Sequence, residues 1–218
     1  MAKWLRQTGE TEIGMLDSQG FDLWADGYDR EVGLSDGENT YPFAGYREAL
    51  DGIFRRVMEK PGASVLDIGF GTGTLTAKLY ERGCAVYGQD FSMRMVEIAA
   101  AKMPGARLYQ GDFSEGLVTP LRERRYDFIV STYALHHMTD ARKIPFLRDL
   151  RDFLAEDGRI LIGDIAFPSR AELDRCRQAA GSDWDPEEYY FVADELAASF
   201  PDLAFTPVSF CAGILTLS

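Results

Sequence analysis

A glycine-rich loop, Gly69-Phe-Gly-Thr-Gly73, directly follows the short apolar run of residues 64–68. Apolar residues at helical spacing come next, among them Leu75 and Leu79, and Gly83 closes that segment. Glycines between a strand and a helix permit a tight turn and let backbone amides approach a ligand. The loop therefore predicts an α/β fold with a ligand site after its first strand.

The alternation of strand and helix continues beyond this loop. Further strands are predicted at 84–87, 106–109, 126–131 and 158–162, and further helices after Ser92 and at 144–154 and 193–199. This alternation predicts a mainly parallel sheet with helices on both faces. Two closely spaced apolar segments, 203–210 and 211–217, predict a final antiparallel pair of strands.

We predict a single domain, because 218 residues without a linker, repeat or low-complexity tract suit one hydrophobic core. Within it, residues 1–60 form an N-terminal helical cap rich in aromatic side chains, with helical stretches around 21–28 and 43–58. Residues 61–218 form the core of strands and helices.

Charge and cysteine usage limit the partners of the chain. The 35 acidic and 23 Lys and Arg residues give a net charge of −12, which repels phosphate backbones and anionic membranes. No segment has the ~18 apolar residues needed to cross a bilayer. The three cysteines are far apart and form no metal-binding pair, which predicts reduced thiols, a cytoplasmic location and no metal site.

A carboxylate beside the loop bears on which ligand the loop binds. The glycines alone suit a dinucleotide, a phosphate or S-adenosylmethionine. Asp67 lies two residues before Gly69, where a pyrophosphate would meet like-charge repulsion but a sulfonium and an ammonium would be favoured. The dinucleotide fingerprint also expects Gly or Ala where this chain has Thr74. Charge therefore favours S-adenosyl-L-methionine.

Two further carboxylates follow the second and third predicted strands. Asp90 has the spacing of an acidic residue that binds the two hydroxyls of a ribose, although it also suits a helix cap. Asp112 could accept a hydrogen bond from an adenine amino group, or cap a turn. Phe91, Met95 or Phe113 would then cover the faces of the ring.

Four segments together resemble the class I S-adenosylmethionine-dependent methyltransferases, in particular their small bacterial stand-alone members. The resemblance begins at about Phe21, extends to the C-terminus and keeps the order and spacing of the motifs. The segments are Val65-Leu-Asp-Ile-Gly-Phe-Gly-Thr-Gly73, Tyr87-Gly-Gln-Asp-Phe-Ser92, Gly111-Asp-Phe113 and Ser131-Thr-Tyr-Ala-Leu-His-His137. It implies a Rossmann-like fold with a seven-stranded, mainly parallel sheet and an antiparallel last strand.

The resemblance also implies which residues hold the methionine part of the cofactor. The backbone around Gly69 and Gly71 would hold it, and Asp67 would support that loop. The backbone near Ser131 would meet the amino group, and Tyr28 from the N-terminal cap would reach the carboxylate.

At the nucleoside end, the resemblance implies that Asp90 binds the ribose and that Asp112 and Phe113 face the adenine. One position departs from the family pattern. Phe70 precedes the second loop glycine, where proline or cysteine is frequent. The larger side chain at this position is expected to alter the fit of the cofactor.

Methyl transfer from a sulfonium needs in-line positioning and exclusion of water, and a base only if the acceptor arrives protonated. His136 and His137, the two histidines of the chain, follow the fourth strand together with Tyr133. We predict these three as catalytic residues, with either histidine as the base and Tyr133 as a wall of the pocket. Packing and helix capping are the alternative roles.

Two other functions stay open at this point. A nicotinamide-dependent oxidoreductase also uses a glycine loop and a following acid, and a non-catalytic S-adenosylmethionine-binding module would keep every cofactor element. The predicted partner is a small-molecule methyl acceptor rather than a nucleic acid or a membrane, and the product cofactor is S-adenosyl-L-homocysteine. An exposed C-terminal hairpin could pair with a second copy in a homodimer.

Overall fold

The computed structural model describes residues 40–218. The strands are β1 Ser64–Ile68, β2 Ala85–Asp90, β3 Arg107–Gln110, β4 Tyr126–Thr132, β5 Leu154–Phe167, β6 Phe191–Val192, β7 Ala204–Pro207 and β8 Ala212–Leu217. The α-helices are α1 Tyr46–Val57, α2 Thr74–Glu81, α3 Met93–Lys102, α4 Thr119–Arg122, α5 Asp140–Arg151, α6 Arg170–Ala180 and α7 Ala193–Ala197. Short 3₁₀ turns lie at Phe113–Glu115, Leu135–His137 and Gly181–Asp183.

The strands form one sheet in the order β3-β2-β1-β4-β5-β8-β7, with β6 paired to the end of β5. Strands β1 to β5 are mutually parallel, and β8 is antiparallel to both of its neighbours, β5 and β7. The sequence prediction of a mainly parallel sheet with an antiparallel last strand is confirmed. Strand β6 was not predicted, because two residues are too short to show a periodic pattern.

Both faces of the central parallel strands β1, β2 and β4 are buried, as the prediction of helices on both sides requires. On β1, Val65 faces an apolar cluster that contains Ile53 of α1 and Leu79 of α2. Its neighbour Leu66 faces a second cluster that contains Leu147 of α5. This alternation along a strand is what places one helical layer on each side of the sheet.

The ends of several elements differ from the sequence prediction. Helix α5 begins at Asp140 rather than at 144, because its first turn is polar and carries no apolar signal. Leu154, predicted as the end of that helix, is the first residue of β5. Strand β5 begins before the predicted residue 158 because Asp157, at φ 62°, forms an irregularity within the strand rather than a loop before it.

The N-terminal cap is described only from residue 40 onward. Its helix α1 packs on the sheet, where the nearest side chain to Gly52 is that of Ile214 in β8. The predicted helix at 21–28, with Tyr28, lies outside the described residues. No helix within residues 40–218 has both the length and the apolar character needed to cross a membrane.

Candidate functional site

The carboxyl ends of β2, β1, β4 and β5 lie side by side, because these four strands are parallel neighbours in that order. The register pairs Ile68 with Gln89, and Thr132 with Gly163. The predicted site residues that follow β1, β2 and β4 therefore meet at one edge of the sheet, where α/β folds bind their ligands.

The loop after β1 is built from glycines in left-handed conformations. Gly69, Gly71 and Gly73 have φ values of 69°, 55° and 80°. A Cβ on Gly69 would lie 2.4 Å from the Cβ of Ala134, so only glycine lets the loop approach the end of β4. A Cβ on Gly71 would meet nothing within 4 Å, which leaves open space on that side of the loop. The loop thus has one packed side and one side with room for a ligand.

Asp67 lies beneath this loop and is buried. One carboxylate oxygen accepts a hydrogen bond from the hydroxyl of Thr76, and the other has no partner among the residues described. Burial, together with the nearby charge of Asp90, raises the pKa of Asp67 to about 7 although the Thr76 bond lowers it. A buried acceptor without a donor fits a ligand that brings an ammonium and a sulfonium.

Asp90, at the end of β2, fixes the position of the loop. Its Oδ2 accepts a 2.8 Å bond from the amide of Gly71, and its Oδ1 a 2.9 Å bond from the amide of Ser92. The two bonds hold the carboxylate beside the loop at the end of β2, and its ribose contact stays a prediction. Ser92 caps α3 as predicted, its hydroxyl accepting from the amide of Met95 at 3.2 Å.

The predicted adenine contacts are brought together only in part. Phe113 is half-buried, and its ring lies 3.5 Å from where a Cβ on Gly69 would stand. Asp112 starts the 3₁₀ turn by accepting a 2.8 Å bond from the amide of Ser114, which is the capping role considered above. Met95 is buried and Phe91 half-buried. Their adenine contacts stay predictions.

The bulk of Phe70 is accommodated on the packed side of the loop. Its ring is buried, and a Cβ on Gly88 of β2 would lie 2.6 Å from its Cδ1. Gly88 is therefore the residue that makes room for Phe70. Sequence reasoning singled out Phe70 but missed Gly88, although a glycine inside a predicted strand is a signal of close approach.

At the end of β4, Ser131 and Tyr133 hold the backbone in place. The Ser131 hydroxyl donates to the carbonyl of Ile68 at 2.8 Å and so joins β4 to the start of the loop. Tyr133 has a φ of 50°, which is rare for a residue with a side chain. Its ring packs against Phe43 and Tyr46 at centroid distances of 5.5 and 4.9 Å, which agrees with a wall rather than a proton acceptor.

The two histidines have different surroundings. His136 is buried, with Nδ1 2.6 Å from Oδ1 of Asp164 and Nε2 3.7 Å from Oε1 of Glu188. Burial disfavours its charged form, but the two carboxylates outweigh burial and raise the pKa of His136. His137 is half-buried, and burial with the nearby charges of His136 and Lys143 lowers its pKa well below the ordinary value. Packing alone, the alternative role considered for the two histidines, does not explain why the carboxylates of Asp164 and Glu188 lie on both sides of the His136 ring.

A segment near residue 188 closes this part of the site. The amide of Tyr189 donates to the carbonyl of His136 at 2.8 Å, and the Lys143 ammonium donates to the carbonyl of Tyr189. The hydroxyl of Tyr190 donates to Oε2 of Glu188 at 2.6 Å. Glu188, whose carboxylate reaches His136 from this segment, was not among the predicted site residues.

Aromatic rings connect this segment to the start of the described chain. Tyr41 stacks on Trp184 with centroids 5.5 Å apart, and Trp184 lies edge-on to Tyr190 at 4.8 Å. The hydroxyls of Tyr41 and Tyr190 are hydrogen-bonded to each other. An apolar cover of three rings therefore lies next to the buried polar groups of Glu188 and His136.

Comparisons with known proteins fit this geometry. A family model described as a methyltransferase domain matches residues 65–158. The chain is 38% identical over 198 residues to an uncharacterized methyltransferase of Geobacillus thermodenitrificans, covering 87% of this chain and 88% of that protein. These matches include the loop after β1 and the ends of β2 and β4.

Solved structures share the fold at low sequence identity. A complex of DhpI with SAH has a TM-score of 0.67 and 17% identity, over 93% of this chain and 94% of the other. The magnesium protoporphyrin IX methyltransferase of Synechocystis PCC 6803 with bound SAH has a TM-score of 0.64 and 18% identity, over 99% and 92%. At these identities the two structures establish the architecture alone.

Proposed function

The chain belongs to the class I S-adenosylmethionine-dependent methyltransferases, and we propose that it methylates a small-molecule acceptor held beside the histidine pair. The proposal is carried by three groups at the same edge of the sheet, at the ends of the neighbouring strands β1 and β4: the open side of Gly71, the unpartnered oxygen of Asp67 and the buried His136. A cationic donor and a polar acceptor atom would each find a suitable environment there.

S-adenosyl-L-methionine supplies an electrophilic methyl group on a sulfonium and leaves as S-adenosyl-L-homocysteine. We assign its methionine part to the backbone at Gly69, Gly71 and Ser131, with the buried carboxylate of Asp67 favouring its positive charge. We assign the ribose to Asp90, whose carboxylate is fixed beside the loop, and the adenine to the half-buried Phe113, whose ring also lies close to the loop. We keep the prediction that Tyr28 contacts the carboxylate of the cofactor's methionine part.

On the acceptor side, the histidines divide their roles by geometry. Both ring nitrogens of His136 face carboxylates, so His136 is a positioning residue that orients its neighbour. His137 is the more exposed of the two, and we assign it the uptake of a proton from an acceptor that arrives protonated. Tyr133 shapes the wall, because its ring packs against both Phe43 and Tyr46.

The class of acceptor follows from charge and enclosure. A net charge of −12 disfavours nucleic acid. The packed rings of Tyr41, Trp184 and Tyr190 lie beside Glu188 and His136, and such a cover favours a small acceptor over a macromolecule. We also propose a cytoplasmic location, since all three cysteines are free and buried, as suits a reducing compartment.

Calorimetric titration with S-adenosylmethionine, S-adenosylhomocysteine and NAD in parallel tests the cofactor. We expect binding of the first two and none of NAD, and binding of NAD alone would overturn the proposal. Labelled methyl transfer to pools of small amines, thiols and hydroxy compounds then tests turnover. A protein that binds cofactor but methylates no pool would instead be a non-catalytic binding module.

A further inference from the structure

The histidine pair and Glu188 form a compact set of metal donors. His136, His137 and Glu188 each offer one ligand atom, and these atoms lie within 4.8 Å of one another. Within residues 40–218 this is the one such set of three. Two imidazoles and a carboxylate are the donors of several catalytic zinc sites, in which a fourth position stays open.

The distance between two of these donors suits a shared ion. Nε2 of His136 lies 3.7 Å from Oε1 of Glu188. A tetrahedral ion with ligands at about 2.0–2.2 Å holds its donors roughly 3.3–3.6 Å apart. Only a small inward movement of Glu188 would bring the pair to that separation. The half-buried Glu188 directly precedes Tyr189, whose amide donates to the carbonyl of His136, so the carboxylate is held near the histidine.

Asp164 provides an independent observation. It is fully buried, and its Oδ1 lies 2.6 Å from Nδ1 of His136, which fixes the ring with Nε2 toward Glu188. Histidines that bind metals usually donate their other ring N–H to a carboxylate in this way. The second oxygen of Asp164 has no hydrogen-bond partner in the described part of the chain.

The charges around the donors also favour a cation. Asp164 and Glu188 bring two carboxylates to His136. The opposing charge is the buried ammonium of Lys143, which is itself paired with Asp140 at 3.0 Å and bonded to the carbonyl of Tyr189. One ammonium that shares its charge with a third carboxylate does not offset two carboxylates beside the donors.

We propose that His136, His137 and Glu188 bind a divalent transition metal of the zinc class, with Asp164 orienting His136 and a coordination position left for the acceptor. The inference depends on the proposed function only in placing an acceptor beside the ion. A bound ion would occupy the lone pair of His137. It would then lower the pKa of a coordinated thiol or hydroxyl in place of proton uptake by that histidine.

Cobalt(II) titration of the full chain, without a histidine tag and after treatment with a chelator, tests this site. Tetrahedral cobalt with nitrogen and oxygen ligands gives visible absorption bands, and zinc should displace it. We expect about one ion per chain. Glu188→Gln and His137→Ala should each weaken binding at least tenfold, and Asp164→Asn about 10–100-fold. Glu187→Gln, the same change at the exposed neighbouring position, should leave the affinity unchanged.

Affinity for S-adenosylhomocysteine, measured on the same samples, reports whether each variant is folded. Wild-type protein that gives no cobalt bands, or equal cobalt affinity in Glu188→Gln and Glu187→Gln, would overturn the metal site. If His137→Ala does not fold, the comparison of the two glutamate variants decides. Loss of cofactor binding in a wild-type protein that still binds cobalt would refute the methyltransferase proposal and leave the metal site standing.

Discussion

Replacing Gly88 of β2 with alanine should displace the glycine loop of residues 69–73, because the new side chain would clash with Phe70. The new Cβ would lie 2.6 Å from Cδ1 and 3.0 Å from Cε1 of Phe70, and 3.1 Å from Cδ2 of Leu108. Phe70 cannot simply turn away, because its ring is buried and the adjoining amides of Gly69 and Gly71 are bonded to β2 at 2.8 Å. The loop itself must therefore move.

Overpacking of this kind costs about 1–3 kcal/mol of unfolding free energy. For a chain of this size, each kcal/mol lowers Tm by about 2–4 °C, so we expect Gly88→Ala to lower Tm by ~2–12 °C. Affinity for S-adenosylhomocysteine should fall as well, because Gly69 and Gly71 flank the ring that is pushed. Urea unfolding followed by circular dichroism and calorimetric titration measure the two effects.

A double-mutant cycle isolates the cause. In a Phe70→Ala background the ring is gone, and Gly88→Ala should then cost clearly less, because only the 3.1 Å contact with Leu108 remains. The coupling between the two positions should be at least about 1 kcal/mol. If Gly88→Ala is equally destabilising in both backgrounds, or destabilising in neither, the contact between Phe70 and Gly88 does not fix the position of the loop.

Three further outcomes are expected. Asp90→Asn should weaken S-adenosylmethionine binding at least tenfold in a calorimetric titration, because hydrogen bonds to a charged group are lost. The control Asp174→Asn, at an exposed position of α6, should leave the affinity unchanged. Equal affinities of the two variants would remove Asp90 from the site. Because the folded pKa of Asp67 is raised to about 7, the native state binds the extra proton, so unfolding free energy should decline as pH rises from ~4 to ~7. Asp67→Asn should lose that decline in urea titrations across this range, and an unchanged slope would refute the assignment. His137→Ala should keep cofactor affinity and lower turnover by about 10²-fold or more, whereas normal turnover would exclude His137 as the base.

The cofactor half of the site was readable from the sequence because its signals are local. The apolar run that becomes β1 ends directly at the glycine loop, so both its bounds and its role were predicted. Asp90 ends β2 and Ser92 follows it two residues later, and the Ser92 cap is confirmed. Short-range chemistry of this kind needs no knowledge of which strands are neighbours.

The acceptor half depends on contacts that no local pattern contains. Asp164 meets His136 only because β5 lies beside β4, and Glu188 reaches the same ring from a segment after α6. Neither Asp164 nor Glu188 was among the predicted site residues, and the spacing of the cysteines predicted no metal site. Long-range pairing of strands, rather than periodicity, decides these contacts.

The position of β8 has a consequence for how the chain reaches this fold. Strand β8 lies between β5 and β7, although it follows both in the chain. Until residues 212–217 pair with β5, the strand that carries Asp164 has an unsatisfied edge next to the site. During synthesis the nucleotide-binding half can form early, whereas the acceptor half must wait for the last strand. A ribosome-bound chain that lacks β8 should therefore already bind cofactor while it exposes the unpaired, aggregation-prone edge of β5.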